Sequence, residues 1–294
     1  MEIVETFAEA RSLNQGVVGF APTLGFVHEG HLSLIERARA ETDHVLVSLF
    51  VNPLQFGEGE DYAAYPRQLA RDARLVESAG ADVLFAPAVA EMYPLEPATT
   101  VAVAPLAAHL EGVARPTHFA GVATVVAKYF AGLRPDKAFF GRKDAQQLAI
   151  ITRMAADLSM PVEVVGCPTV REHDGLALSS RNVYLQAYER GQARSLSVGL
   201  MAAADRVEAG ERSGPALEHI VREAVPAFEF EYVALMARAT VTPLAVLDRP
   251  AFLAVAGTVG HTRLIDNIHL DIENGEVSVD RGVRLAGPSL LYEQ

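Results

Sequence analysis

The string Pro22-Thr-Leu-Gly-Phe-Val-His-Glu-Gly-His31 sets two imidazoles either side of a glycine, after an apolar run and before a helical pattern. Gly30 lets the backbone come close to a ligand, and His31 falls at a helix start, whose N–H groups and dipole favour anions. Two imidazole donors aimed at a phosphate can stabilise charge that develops on it during displacement. Other readings compete. His28 and His31 could share a zinc ion, although no other His/Cys cluster supplies further ligands at the usual spacings. A lone histidine at a helix start is commonly a cap or a surface residue. The chain contains neither G-x-x-x-x-G-K-[ST] nor G-x-G-x-x-G, so phosphate binding by those two loops is excluded.

Such groups act only if a fold presents them together. Short apolar runs at 17–21, 45–51, 83–86, 138–140 and 162–165 have the character of buried strands. Helical patterns lie between them. The first starts near His31, with Leu32, Ile35 and Ala38 on one face. The second opens at Pro66, carries Leu69, Ala73 and Val76, and closes at Gly80. A third uses Val122, Val126, Tyr129 and Leu133, and a fourth spans 144–158 and stops before Pro161. Strand–helix alternation predicts an α/β fold, a doubly wound parallel sheet with helices on both faces. Ligands of such sheets sit outside the carboxyl ends of the strands, where residues 22–31 fall. After Arg181 the pattern becomes α+β. A long helix over about 186–209 precedes a second one after 210–214, and strand-like runs follow at 229–236, 240–247, 251–256 and 262–272. Asn274-Gly275 reads as a tight hairpin. The expected division is a first domain, 1–183, and a smaller α+β domain, 184–294.

With 294 residues, half of them apolar, the chain can build a substantial core, and it holds no apolar run of membrane-spanning length. The first nine residues carry three glutamates and no basic region, unlike a signal peptide. A single cysteine, Cys167, allows no internal disulfide, which suits the cytoplasm. The net charge of −12 argues against non-specific nucleic-acid binding, but not against an anionic ligand met by local basic groups. Among the 25 basic residues only Lys128, Lys137 and Lys143 are lysines. An ammonium kept in an arginine-using chain hints at a need for a point charge, with codon bias as the competing explanation.

His-x-Gly-His after a first strand resembles the signature of the nucleotidylyltransferase and class I aminoacyl-tRNA-synthetase superfamily, and the longer string 22–31 resembles the pantothenate synthetase (pantoate–β-alanine ligase) family. Further segments are similar to that family in the same order: Phe50-Val-Asn-Pro-Leu-Gln-Phe56, Tyr65-Pro-Arg67, Phe139-Phe-Gly-Arg-Lys-Asp-Ala-Gln-Gln147 and Arg171-Glu-His-Asp-Gly-Leu-Ala-Leu-Ser-Ser-Arg-Asn182. Arg115-Pro-Thr-His-Phe-Ala-Gly-Val122 is a weaker match, and Thr262-Arg-Leu-Ile-Asp-Asn-Ile268 resembles the family's C-terminal end. The resemblance implies a Rossmann-like domain and a two-step ligation. Pantoate and ATP give pantoyl adenylate and pyrophosphate, and β-alanine then displaces AMP. It also implies a homodimer.

The resemblance places Leu24, Gly25, Phe26, Val27, His28, Glu29, Gly30 and His31 along ATP, with His31 as proton donor. It implies that Lys143 pairs with phosphate oxygens, near Gly141, Arg142 and Asp144, and that Val170 and Leu178 border the adenine. Ser179, Ser180 and Arg181 resemble a mobile phosphate-gripping segment. Gln55 and Gln147 are implied to hold pantoate, helped by Asn52; amides donate and accept without a charge to desolvate. The residues alone leave blander readings open. Asp144-x-x-Gln147 is also a capping box, Asn52-Pro53 and Asp174-Gly175 are turn signals, and Arg115 and His118 could be surface groups on a loop.

The sequence departs from the family's pattern in places. Leu24 and Leu54 stand where methionine is usual, swaps that should cost under about 1.5 kcal/mol. Arg142 replaces the commoner glutamate and is expected to add positive charge near the phosphates. The family's acidic cluster falls at Arg71-Asp72, so Asp72 is the candidate ligand for Mg²⁺, with a solvated helix acid as the alternative. Residues 269–294 run past the usual family end. Two rivals remain: a nucleotidylyltransferase of the same superfamily acting on a small phosphate, and a regulator that binds nucleotide without turnover.

Overall fold

The computed structural model describes residues 1–292, and the chain divides into two compact units: Met1–Gly141 with Ile150–Cys167, and Arg142–Ala149 with Pro168 onward.

Six strands of the first unit form one sheet: β1 (Glu2–Val4), β2 (Val18–Thr23), β3 (His44–Leu49), β4 (Val83–Phe85), β5 (Lys137–Gly141) and β6 (Glu163–Cys167). Their order is β1-β4-β3-β2-β5-β6, and every pairing is parallel. Val45, Leu46 and Val47 of β3 are fully buried, as a sheet covered on both faces requires. The helices are α1 (Phe7–Ser12), α2 (Glu29–Glu41), α3 (Leu69–Ser78), α4 (Val89–Met92), α5 (Glu111–Ala114), α6 (His118–Leu133) and α7 (Ala145–Asp157), the last with its first five residues in the second unit. On α2, Leu34, Ile35 and Ala38 pack into a core with Val45, Val47, Ala73 and Val76; truncating Ile35 to alanine there would cost about 2–5 kcal/mol. α3 begins three residues later than the Pro66 signal predicts. Arg67 donates back to the Tyr65 and Tyr62 carbonyls, and those turn contacts keep 65–68 out of the helix.

Strand order reverses beside β2: β3, β4 and β1 lie to one side of it, β5 and β6 to the other. Crevices for ligands open at such switch points, outside the carboxyl ends of the strands. Here those ends are Thr23 of β2 and Gly141 of β5.

The second unit contains β7 (Val170–Arg171), α8 (Ala187–Ala193), α9 (Ser195–Glu208), α10 (Gly214–Ala224), β8 (Tyr232–Ala237), β9 (Ala251–Val259), β10 (Thr262–Glu273), β11 (Glu276–Asp280) and β12 (Val283–Arg284). An antiparallel sheet runs β11-β10-β9-β8, and β12 pairs with β7 in parallel. Leu196, Leu200, Ala203 and Val207 recur at helical spacing on α9 and are buried with Leu217, Leu253 and Ile268. Asn274 and Gly275 turn with φ of 52° and 84° and join Glu273 to Glu276, the two-residue hairpin that the dipeptide predicts.

Three expectations are corrected. Residues 168–183 belong with the second unit rather than the first, because Arg171 is buried against Asp266 of β10. The single helix expected over 186–209 is two, broken at Arg194. No strand forms over 240–247, where Val241 takes a left-handed φ of 52°.

Candidate active site

After β2 the chain takes a shape that it would not hold unaided. Gly25 has φ of 94° and Phe26 has φ of 52°, which in a non-glycine residue costs roughly 1–2 kcal/mol. The offsetting contacts come from α3. Asp72 is fully buried, and its two oxygens accept the N–H groups of Phe26 and Val27, each at 2.8 Å. Arg71 donates to the Val27 carbonyl at 2.9 Å and lies 5.3 Å from the centre of the Phe26 ring. Burial pushes the Asp72 carboxyl above its ordinary range, opposed by the two N–H bonds and by Arg71.

This geometry favours an anchoring role for Asp72 over the expected one of metal ligand. A carboxylate with both oxygens on backbone amides and no exposed surface fastens a loop. Among the described residues, no group of three or more His, Cys, Asp and Glu side chains is arranged to hold a metal ion. Val27 is an anchor too: its side chain is fully buried, and its N–H and C=O are both engaged.

The fastened loop delivers two histidines to the start of α2. His28 is the N-cap, its Nδ1 accepting the Gly30 N–H at 3.1 Å; His31 Nδ1 in turn accepts the His28 N–H at 3.4 Å. The rings stack with centroids 4.0 Å apart. An Nδ1 that accepts cannot carry the proton, so both neutral rings hold it on Nε2 as a donor. Gly30 has a reason nearer than ligand approach: a Cβ there would stand 2.9 Å from His28 Cε1, inside the ring's own space. Leu24 and Glu29 are half-buried beside these groups in sequence.

A polar cluster in the same unit surrounds the turn Pro53–Gln55. Asn52 caps it by accepting the Leu54 N–H, accepts the Tyr93 hydroxyl at 2.8 Å, and donates to Gln55 Oε1 and to the Gly121 carbonyl, each at 3.2 Å. Because Gln55 Oε1 accepts, its amide N–H₂ end is the donor side. Burial pushes the Tyr93 phenol up to about 12. Arg115 and His118 are not surface groups. His118 is buried and donates from Nδ1 to the Gln55 carbonyl at 2.8 Å, so its Nε2 faces Arg115 as the acceptor, at 3.2 Å. Arg115 also grips Glu60 with two N–H groups and holds its carboxyl below the usual range.

In the second unit, Arg142, Lys143 and Asp144 form one helical turn before α7, which carries Gln147. Asn267 donates to the Lys143 carbonyl at 2.6 Å, and His269 Nε2 donates to the Arg142 carbonyl at 3.1 Å. Arg142 is not spare positive charge: its Nη1 lies 2.8 Å from Asp280 and 3.9 Å from Asp271. The three lysines divide by role. Lys137 bridges Glu41 and Glu163, Lys128 lies 5.9 Å from the ring centres of Phe7 and Tyr93, and the Lys143 ammonium is 4.0 Å from Asp144.

The segment 171–182 is tied down by its own acids and bases. Arg171 uses all five N–H donors, two on Asp266 (2.6 and 3.0 Å) and the others on the Gly175, Asn267 and Arg281 carbonyls. Buried Glu172 accepts from Asn182, from two nitrogens of Arg190 and from the Tyr292 hydroxyl. Glu172 and Gly175 close the turn that Asp174-Gly175 predicts. The buried pair Val170 and Leu178 is joined by the Leu178 N–H at 2.9 Å. Ser179 caps the turn Ser180–Tyr184, in which Ser180 is buried and Arg181 half-buried. The loop fastening at Arg71-Asp72, the Tyr93 contact and the Arg171–Asp266 pair are invisible to spacing. Arg171 and Asp266 do stand inside motif strings, the one signal that could have drawn attention to them.

A parallel α/β sheet with a His-x-Gly-His turn at the end of a central strand defines a Rossmann-like enzyme of the nucleotide-handling kind. The chain belongs to the pantoate–β-alanine ligase family, whose model matches residues 1–269. It is 51% identical over 277 residues to a pantothenate synthetase of Roseiflexus castenholzii, covering 92% of this chain and all of that one. With the pantothenate synthetase of Thermus thermophilus it shares 52% over 275 residues, covering 92% of this chain and 99% of that one. A crystal structure of the Thermus thermophilus enzyme superposes with a TM-score of 0.86 at 50% identity, covering 91% of this chain and 98% of that one. A pantoate–β-alanine ligase from Francisella tularensis, crystallised with β,γ-ATP and β-alanine, superposes with a TM-score of 0.69 at 31% identity, covering 91% and 97%.

Proposed function

We propose that this ligase condenses pantoate with β-alanine at the expense of ATP, through a pantoyl adenylate. The pantoate carboxylate attacks the α-phosphorus and pyrophosphate leaves; the β-alanine amine then attacks the acyl carbon and AMP leaves. The carboxylate is already a nucleophile, so the first step needs positioning and charge stabilisation more than a base. The observation that carries the proposal is the doubly capped start of α2, where His28 and His31 are locked as Nε2 donors at a helix N-terminus. That arrangement suits an anion gaining charge on its oxygens.

Lys143, Ser179, Ser180 and Arg181 are assigned to the phosphates, Gly141, Val170 and Leu178 to the nucleoside side, and Gln55, Gln147 and Asn52 to pantoate. A Cβ at Gly141 would meet nothing within 4 Å, so the space beside it is open to a ligand. The Gln55 amide can donate to a hydroxyl or carboxylate without adding a charge to desolvate. Asp72 does not fit a metal ligand, so Mg²⁺ accompanying ATP would rest on phosphate oxygens and water. We also propose a homodimer, the commonest closed assembly, in the cytoplasm. Sedimentation at twice 31.6 kDa tests the dimer.

Incubating the enzyme with ATP and pantoate, then adding β-alanine, tests the reaction. Pyrophosphate in the first stage and amine-dependent AMP in the second are expected. A stable nucleotide conjugate indifferent to the amine would point to a nucleotidylyltransferase instead.

A further inference from the structure

The family match stops at residue 269, yet the chain continues through β11, β12 and the turn Leu290–Tyr292. This extension is not an independent appendage. β12 lies alongside β7, with the Val283 N–H on the Thr169 carbonyl and the Leu285 N–H on the Arg171 carbonyl, both at 2.8 Å. The approach is close enough to require Gly282, where a Cβ would stand 2.3 Å from the Thr169 oxygen. Further on, Leu291 is buried, and the Tyr292 hydroxyl donates to Glu172 at 2.9 Å while accepting Arg190 Nη1 at 2.6 Å. The extension thus holds the start of the segment 171–182 twice, by the β12 backbone on Thr169 and Arg171 and by the Tyr292 phenol on Glu172.

It also reaches the turn that carries Lys143. Asp280, at the end of β11, accepts Arg142 Nη1 at 2.8 Å and, through its other oxygen, the Gly282 N–H at 2.9 Å. The segment beyond the family match therefore brings a carboxylate to the arginine that precedes Lys143.

We infer that the extension beyond residue 269 sets the position of both nucleotide-gripping segments, with Asp280 and Tyr292 as positioning residues for Lys143 and for Ser179–Ser180–Arg181. This rests on the assignment of those groups to ATP made above. Neither residue touches substrate. Asp280 holds the arginine next to the ammonium, and Tyr292 completes the set of donors on Glu172, the acid that Asn182 also binds at the far end of the segment. Loss of either loosens a phosphate-binding group without removing it, so the effect should fall on ATP rather than on the amine.

The test compares the full chain with Tyr292→Phe, Asp280→Asn and a chain ending at Asp280, measuring KM for ATP, KM for β-alanine, kcat, melting temperature, and ATP binding by calorimetry without pantoate. The point variants should raise KM and Kd for ATP about threefold, and the shortened chain about tenfold. KM for β-alanine should stay within twofold and the point variants should melt with the full chain. Unchanged ATP affinity in both point variants overturns the inference, whether or not the shortened chain folds. Failure of the ligase reading looks different: the full chain itself would release no amine-dependent AMP.

Discussion

The loops at 22–31 and 171–182 are both assigned to the nucleotide, and both hang on buried acids, but in different ways. In the first, one carboxylate, Asp72, takes two backbone N–H groups and so fixes main-chain geometry directly, left-handed Phe26 included. In the second, Glu172 takes the side chains of Arg190, Asn182 and Tyr292, and Asp266 takes the Arg171 guanidinium together with the N–H of its own neighbour Asn267. A main-chain clamp leaves the donors that follow it little freedom, which suits two imidazoles that must meet a developing charge. A side-chain network spreads control over residues distant in sequence, so its set point can change when a segment is added to the chain. Rigidity here comes from what the acid binds, not from how many acids there are.

The contrast between the two clamps is tested first at the tighter joint. Asp266→Ala would leave the Arg171 guanidinium buried without its partner, a loss of about 3–5 kcal/mol. Thermal melting should show it as a drop of roughly 10 °C, and the paired change Arg171→Met with Asp266→Leu should recover much of it. A single variant that melts like the parent would remove the network from the account.

Asp72→Asn is the next largest. The amide keeps one acceptor but turns an N–H₂ toward a backbone N–H, costing about 1–3 kcal/mol and lowering kcat through the displaced loop. The Mg²⁺ concentration for half-maximal rate should not move. A shifted Mg²⁺ midpoint with unchanged melting would restore the metal reading.

Acid titration probes the second unit more gently. Desolvation in its buried site lowers the His269 pKa from 6.5 to about 4, with its Nε2–H on the Arg142 carbonyl pulling the other way. Between those values the unfolded chain binds the proton and the folded one does not, so stability is intact above pH 6.5 and falls as pH drops toward 4. The loss is about 3 kcal/mol at most. Urea unfolding at pH 7, 5.5 and 4.5 should follow that slope, and His269→Gln should flatten it; an equal slope in the variant would place the proton elsewhere.

Much of the frame was legible because its signals are local. The apolar runs gave β2 to β6, and Asn274-Gly275 gave the hairpin between β10 and β11. β1 escaped because Glu2-Ile3-Val4 is too short to show a period, and its partner β4 lies some eighty residues on. The break at Arg194 escaped because no glycine or proline marks it. At the candidate site, His28, His31 and Lys143 stand out in the sequence by residue type and place, and the structure shows the two histidines stacked at the start of α2. Asp72 stands out as a metal candidate in the sequence, whereas its carboxylate accepts two amides of a loop 45 residues away, a pairing that spacing does not encode. The same holds for Arg142, whose charge looks free until Asp280 is placed beside it.

All of this depends on the imidazole pair at the start of α2 acting on the reacting phosphate rather than merely capping a helix. Single-turnover pyrophosphate release from ATP and pantoate, without β-alanine, isolates that step. His31→Ala should slow it by about a hundredfold or more, the scale of one lost charge-stabilising donor, with ATP still bound. A variant that releases pyrophosphate as fast as the parent would reduce His31 to a cap and contradict the mechanism.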